Sequence, residues 1–201
     1  LLAEKELLLK EVHHRIKNNM NTVAGIMTLQ KETLKDPAAI AALDDAISRV
    51  NSMMILYDKI YRSNDVEKIS FKEYISPLAD EIVENFPNSK IVKIKKSIDD
   101  FMIDAKRLSA LGIIFNEILT NIMKHAFAGR ASGLITISAA VSDNRITISI
   151  SDDGIGSPES FDISTSESFG FQLLDVMTRQ LHGEIKALQD KGTKFVIEFN
   201  L

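Results

Sequence analysis

The chain of 201 residues has no cysteine. Without thiols it holds no disulfide framework and no zinc site built on thiolates, which fits a reducing compartment. No apolar run approaches the roughly 18–20 residues that a membrane span needs. The opening stretch 1–11 is charged and amphipathic, unlike a signal peptide. The segment is therefore expected to make no membrane contact of its own and to work in the cytoplasm. An excess of one charge sign is missing too. The 24 basic and 28 acidic residues are well mixed, with net charge −4, and leave no basic stripe for nucleic acid. There is no internal repeat and no low-complexity segment. A helical pattern is already running at the first residues, so a longer protein with an upstream sensor or anchor is expected.

Glycine and proline are almost missing from the first third. Residues 1–64 contain one of each, Gly25 and Pro37. Apolar residues fall at Leu9, Val12, Ile16, Met20, Val23, Met27 and Leu34, then at Ile40, Leu43, Ile47, Val50, Met54, Tyr57 and Tyr61. Steps of three and four alternate, as in a bundle seam. Lys35-Asp36-Pro37 separates the two runs, and proline suits the first turn of a new helix. The pattern predicts an antiparallel helical hairpin. Two helices bury too little alone, so a homodimer forming a four-helix bundle is expected. Packing of the seam on the following residues is the alternative.

From Asp65 to Leu201 the grammar changes. A helix is predicted over 71–86 and a strand over 91–98, and Asp104 is a candidate N-cap for a long helix reaching about Phe127. Residues 134–141 and 145–150 alternate strictly around Asp143-Asn144, a hairpin turn. A helix over 170–181 and strands over 183–188 and 194–199 complete the chain. The fold class is α+β: a helical hairpin over 1–64, followed over 65–201 by a two-layer α/β sandwich with helices on one face of a mixed, mostly antiparallel sheet.

Three clusters of residue types carry chemistry. On the first helix, at ~100° per residue, His13 lies about 50° from the apolar stripe and His14 about 150° from it. His14 is thus expected in solvent, with Asn18 one turn away on the same face. An exposed imidazole keeps a nitrogen free to act as a nucleophile near neutral pH, although an exposed histidine alone is a common surface feature. In the long helix, Leu108, Leu111, Phe115, Ile118 and Ile122 form the core stripe, and Glu117, Asn121 and Lys124 fall together opposite it. An acid, an amide and an amine so spaced can hold hydrated Mg²⁺ and triphosphate oxygens; a solvated polar face is the plainer alternative. Asp152 continues the parity of Ile146, Ile148 and Ile150, so it points toward the core side and needs a partner. An adenine amino group suits it, and Gly154 and Gly156 would let backbone approach the base. Asp152-Asp153-Gly154 also reads as an ordinary turn. The polar stretch 157–169 reads as a mobile loop, and Gly170 starts a helix whose amides suit phosphate oxygens.

Asn116–His125, Asp152–Gly156, Gly170 and Gly192-Thr193 occur in an order that resembles the asparagine box and three glycine boxes of the GHKL ATPase fold. That superfamily includes histidine kinases and DNA gyrase. His14-Arg15-Ile16-Lys17-Asn18-Asn19 is similar to the H-R-x-K-N-N box of one histidine kinase subfamily. The resemblance covers essentially the whole chain. It implies ATP and Mg²⁺ as cofactors, autophosphorylation of His14, and transfer to an aspartate on the receiver domain of a response regulator. By position it implies Asn121 as the Mg²⁺-binding amide, Asp152 as the adenine-binding acid, and Lys124 and His125 as residues facing the phosphates. Gly154, Gly156, Gly170, Gly192 and Thr193 match the glycine boxes. Residues 1–64 would be the dimerisation and phosphotransfer domain, and residues 65–201 the ATP-binding domain, with a hinge near Ser63-Asn64-Asp65. Most histidine kinases have an acid directly after the histidine; Arg15 stands here. Glu11 and Glu117 are the candidate bases, Glu117 also matching the catalytic acid of ATP-hydrolysing relatives. Asn19 replaces the usual proline, so a straighter first helix is expected. A GHKL ATPase, or an ATP-binding dimeric scaffold without phosphotransfer, is the alternative function.

Overall fold

The computed structural model describes residues 2–62, 68–156 and 168–201. Contacts divide the chain into two compact units, Leu1–Asn64 and Asp65–Leu201. The expected hinge residues Ser63, Asn64 and Asp65 lie outside the described residues, as do residues 157–167 of the expected loop.

In the first unit, helix α1 spans Leu2–Thr33 and helix α2 Pro37–Arg62. Asp36 starts α2: its Oδ1 accepts from the Ala38 backbone N–H at 3.0 Å, and Pro37 occupies the first turn, where an N–H would be unused. The helices run side by side, with Lys31 paired to Asp44 at 2.6 Å. Ile16, Met20 and Met27 are half-buried and Ala24 is buried. Val12, Val23, Ile26 and Leu29 remain 44–65% exposed, so α1 keeps much of its apolar surface open. The side chains of 2–11, and of His13, Tyr57 and Tyr61, lie outside those described. No helix among the described residues is long and apolar enough to cross a membrane.

The second unit is a five-stranded sheet covered on one face by three helices. Its strands are β2 (Val92–Ile98), β4 (Gly133–Ser142), β5 (Arg145–Asp152), β6 (Glu184–Asp190) and β7 (Gly192–Asn200), in the order β2-β4-β5-β7-β6. Only β2 and β4 run parallel. Two-residue strands β1 (Ile69–Ser70) and β3 (Met102–Ile103) pair separately, below the length at which alternation is readable. Asp143 and Asn144 both take positive φ (47° and 69°), as a two-residue hairpin turn requires. Register places Ile150 beside Ile137 and Phe195, and Ile148 beside Ala139 and Ile197, so the helix-facing side of the sheet is continuously apolar.

Helices α3 (Phe71–Glu84), α4 (Ala105–Asn121) and α5 (Phe169–Gln180) cover that side. Ser70 caps α3, its Oγ accepting from the Glu73 N–H at 3.1 Å. Asp104 caps α4, its Oδ1 accepting from the Arg107 N–H at 2.9 Å. Helix α4 does not continue to Phe127 as an α-helix: after Asn121 the backbone widens into one π-turn, Ile122–Ala126. The predicted core stripe Leu108, Leu111, Phe115, Ile118 and Ile122 is fully buried.

Candidate functional site

Asp152 ends β5 with its side chain on the apolar side of the sheet, and it is 5% exposed. Such a carboxylate needs hydrogen bonds. Two backbone groups supply them. The Gly154 N–H donates to Oδ1 at 2.8 Å, and the Thr193 N–H donates to Oδ2 at 3.2 Å. Burial raises the carboxyl pKa above the ordinary aspartate value, against the lowering by the two N–H groups; Asp153 adds to the rise and Arg130 opposes it. Thr193 reaches Asp152 because β7 lies beside β5, with Lys194 opposite Ser151.

The two glycines near Asp152 have separate structural reasons. A Cβ on Gly154 would stand 2.3 Å from the Ala126 carbonyl oxygen, so this glycine lets the β5 end close onto the π-turn. The Ile155 N–H then donates to that same oxygen at 3.0 Å. The expectation that Gly154 opens the backbone to a base is thus corrected: its missing side chain is filled by protein. Gly156 has φ of +76° and nearest neighbours no closer than 3.5 Å, so it serves a left-handed bend. Gly192 resembles Gly154: its Cβ would lie 2.3 Å from the Asp152 carbonyl oxygen. Asp153 anchors the turn to β4, accepting from the Leu134 N–H at 2.8 Å, while Arg130 donates to the Asp153 carbonyl.

A cavity of about 320 Å³ opens beside these groups. Its polar lining is Asn121, His125, Asp152, Ser168 and Thr193, with Gly156, and its apolar lining is Ile122, Ala126, Phe171 and Phe195. Five of the residues singled out in the sequence, Asn121, His125, Asp152, Gly156 and Thr193, therefore converge from three segments of chain. Of the apolar walls, Ile122 lies within the Asn116–His125 motif but was read as core, and Ala126, Phe171 and Phe195 were not singled out. Phe195 was within reach of pattern reasoning, since it shares the parity of Thr193 on β7.

Other candidates stand elsewhere. Lys124 is exposed on the π-turn and does not line the cavity. Glu117 is 2% exposed within α4, not on a solvated face opposite the core. The reason is that α3 and α5 flank α4 while the sheet lies beneath, so α4 is buried nearly all round. Gly170 is buried in the first turn of α5. The amides of Phe171 and Gln172 there donate to the Ser168 carbonyl at 3.1 Å each, so these two of the turn's amides are not open to an anion. His14 and Asn18 are both exposed on α1, in the other unit. The Glu11 side chain lies outside those described. Among the described residues no group of three or more His, Cys, Asp or Glu gathers to hold a metal. A cation bound wholly by side chains does not fit; one held by phosphate oxygens and water, with the Asn121 amide, does.

Comparison with known proteins matches family models to both units. The family model described as "Histidine kinase" matches residues 11–86, and that described as "Histidine kinase-, DNA gyrase B-, and HSP90-like ATPase" matches residues 107–201. The sensor histidine kinase PdtaS of Mycobacterium tuberculosis is 28% identical over 200 residues, covering 98% of this chain and 40% of that protein. Blue-light-activated histidine kinase 2 of Erythrobacter litoralis is 23% identical over 205 residues, covering 99% of this chain and 58% of that one. The chain thus spans about two-fifths of the length of PdtaS. Among solved structures, the histidine kinase domain from Erythrobacter litoralis EL346 superimposes with a TM-score of 0.68 at 23% identity, covering 99% of this chain and 93% of that one.

Proposed function

Because the chain belongs to the sensor histidine kinases, as their catalytic core with a GHKL-type ATP-binding fold, we propose that it binds ATP beside Asp152 and transfers the γ-phosphoryl group to His14. The observation that carries this reading is the buried Asp152 carboxylate, fixed by two backbone N–H groups at the edge of a largely apolar cavity. Both of its oxygens still have acceptor capacity, and a flat base with an exocyclic amine complements it.

In this reading the apolar walls Ile122, Ala126, Phe171 and Phe195 exclude water from the base. Gly156 and Gly170 shape the loop ends, while Gly154 and Gly192 set the backbone that holds Asp152. Asn121, His125 and Thr193 face the polar part of the nucleotide, with Lys124 near the phosphates. Mg²⁺ on Asn121 would neutralise charge on the phosphates, with Glu117 as a more distant acid behind it. An imidazole nitrogen of His14 forms the new N–P bond as the bond from the γ-phosphorus to the bridging oxygen breaks, and ADP leaves with that electron pair. The ring proton passes to a base, Glu11 or Glu117. The phosphohistidine then donates to an aspartate carboxylate on the receiver domain of a response regulator. Asn18, beside His14, orients water in the reverse hydrolytic direction. Residues 1–64 serve as the dimerisation and phosphotransfer domain, residues 65–201 as the ATP-binding domain, and the reaction takes place in the cytoplasm. Such chemistry relies on positioning and charge stabilisation more than on covalent participation by further residues.

The test uses γ-radiolabelled ATP with the wild type and His14→Gln. The kinase reading expects an acid-labile label on wild-type protein only, with nucleotide affinity unchanged in the variant. Free phosphate without labelled protein, and equal turnover in His14→Gln, would instead identify an ATPase. Binding with neither product would leave a scaffold.

A further inference from the structure

The cavity wall contributed by α4 lies at a change of winding. Asn121, Ile122, His125 and Ala126 all line the cavity, and all sit at or inside the π-turn Ile122–Ala126. A π-turn inserts one residue into the helical repeat and disturbs the regular carbonyl partners around it. Its carbonyls must then be satisfied from outside the helix. Two of them are. Ala126 O accepts from the Ile155 N–H, within the Asp152 turn. Met123 O accepts from the side-chain amide of Asn88, Nδ2 to O at 2.9 Å, in a half-buried setting.

Asn88 belongs to none of the nucleotide motifs. It lies between α3 and β2, at the entrance to the short 3-10 turn Ser89–Ile91, where its side chain makes no capping hydrogen bond. Its amide is spent across the fold on the π-turn. Met123 itself is 2% exposed, so no water readily replaces the lost donor. Without that donor the turn gains by rewinding toward α-helical pairing. Removing one inserted residue rotates the downstream residues by ~100° and shifts them by ~1.5 Å along the axis. His125 and Ala126 would leave the cavity wall, and Ala126 O would lose its register with Ile155 N–H.

We infer that Asn88 is a positioning residue for the nucleotide site, acting through the π-turn and not by touching nucleotide. This rests on the cavity being the nucleotide site, as proposed above. The test measures ADP affinity by calorimetry for wild type, Asn88→Ala, Asn88→Asp and Asn88→Gln, alongside melting temperature and the His125 ring resonances in NMR spectra. Ile82→Val, a buried trim in α3, controls for general destabilisation. Asn88→Ala and Asn88→Asp should weaken ADP binding about tenfold or more and shift the His125 resonances. Asn88→Gln, which keeps the donor, should recover part of the affinity. Ile82→Val should melt lower with unchanged affinity and an unshifted His125. Wild-type affinity in Asn88→Ala, or equal losses in Ile82→Val, overturns the positioning role. Failure of wild-type protein to bind ADP overturns the nucleotide reading and this inference with it. Should Asn88→Ala not fold, Asn88→Asp against Asn88→Gln makes the same comparison.

Discussion

Replacing Gly192 by alanine tests whether the backbone beside Asp152 is held as closely as the structure shows. The new Cβ would stand 2.3 Å from the Asp152 carbonyl oxygen, 2.5 Å from its Oδ1 and 2.8 Å from its carbonyl carbon. Ordinary contact begins at 3.4 Å, so the strands must part by about 1 Å. Neither can retreat freely, because Ser151 and Lys194 are paired in the ladder next to the contact. Over-packing of this kind costs about 1–3 kcal/mol. Separation also stretches the Thr193 N–H bond to Asp152, already 3.2 Å long, a loss of about 1 kcal/mol. The sum is about 3 kcal/mol, or roughly 10 °C in melting temperature for a unit of this size. Nucleotide should then restore little stability, since Asp152 has moved. Gly156→Ala is the matched control. Its φ of +76° carries a left-handed penalty of about 1–2 kcal/mol, but its nearest neighbour is 3.5 Å away. Thermal unfolding of the three proteins, with and without ADP, therefore ranks Gly192→Ala as the most damaged. If Gly192→Ala melts at or above Gly156→Ala, the close approach at Asp152 is refuted.

Three further outcomes concern single residues. Burial raises the folded-state pKa of Asp152, so ionising it costs stability; that cost is absent below the unfolded carboxylate pKa of about 3.9 and complete once pH exceeds the raised value. The melting temperature of nucleotide-free wild type minus that of Asp152→Asn should accordingly fall as pH rises through the acid range and then level off; a rise would contradict burial as the dominant effect. His182 is exposed with φ of 54° just after α5, where its N–H donates to the Arg179 carbonyl at 2.9 Å, so His182→Gly should keep that bond and stabilise the protein by about 1 kcal/mol in denaturant titration. Val23 belongs to the predicted seam and is 44% exposed on α1; if the hairpin is a dimer seam, Val23→Glu places one carboxylate per protomer in it and should weaken self-association by roughly a hundredfold in sedimentation, while an unchanged oligomer would put the seam elsewhere.

The alternating segments disclosed their structure because each buries one face only. Ile146, Ile148 and Ile150 fix which side of β5 meets the helices, and parity alone carried Asp152 to that side. Pro37, Asp104 and the Asp143-Asn144 turn were equally readable, since each acts on backbone within a few residues of itself. Helix α4 misled for the complementary reason. A stripe of period 3.6 implies solvent behind it only when the helix lies at the surface, and α4 is flanked on both sides, which buried Glu117. The π-turn had no local signal at all: Ile122-Met123-Lys124-His125-Ala126 contains neither glycine nor proline, and its winding depends on Asn88 and Ile155.

The same distinction explains how the site is held. Asp152 owes its position to the Thr193 N–H, 41 residues away in sequence. That contact exists because β6 occupies the sheet edge and returns the chain through the Lys191 turn, leaving β7 to pair directly with β5. If β7 took the edge instead, Thr193 would lie a strand farther off, about 4.8 Å, and the carboxylate would be left with the Gly154 N–H alone. A buried acid with one donor is a poor fixed acceptor. Strand order thus decides how the Asp152 carboxylate is held, and so does the absence of a side chain at Gly192, which lets the two strands meet at Asp152.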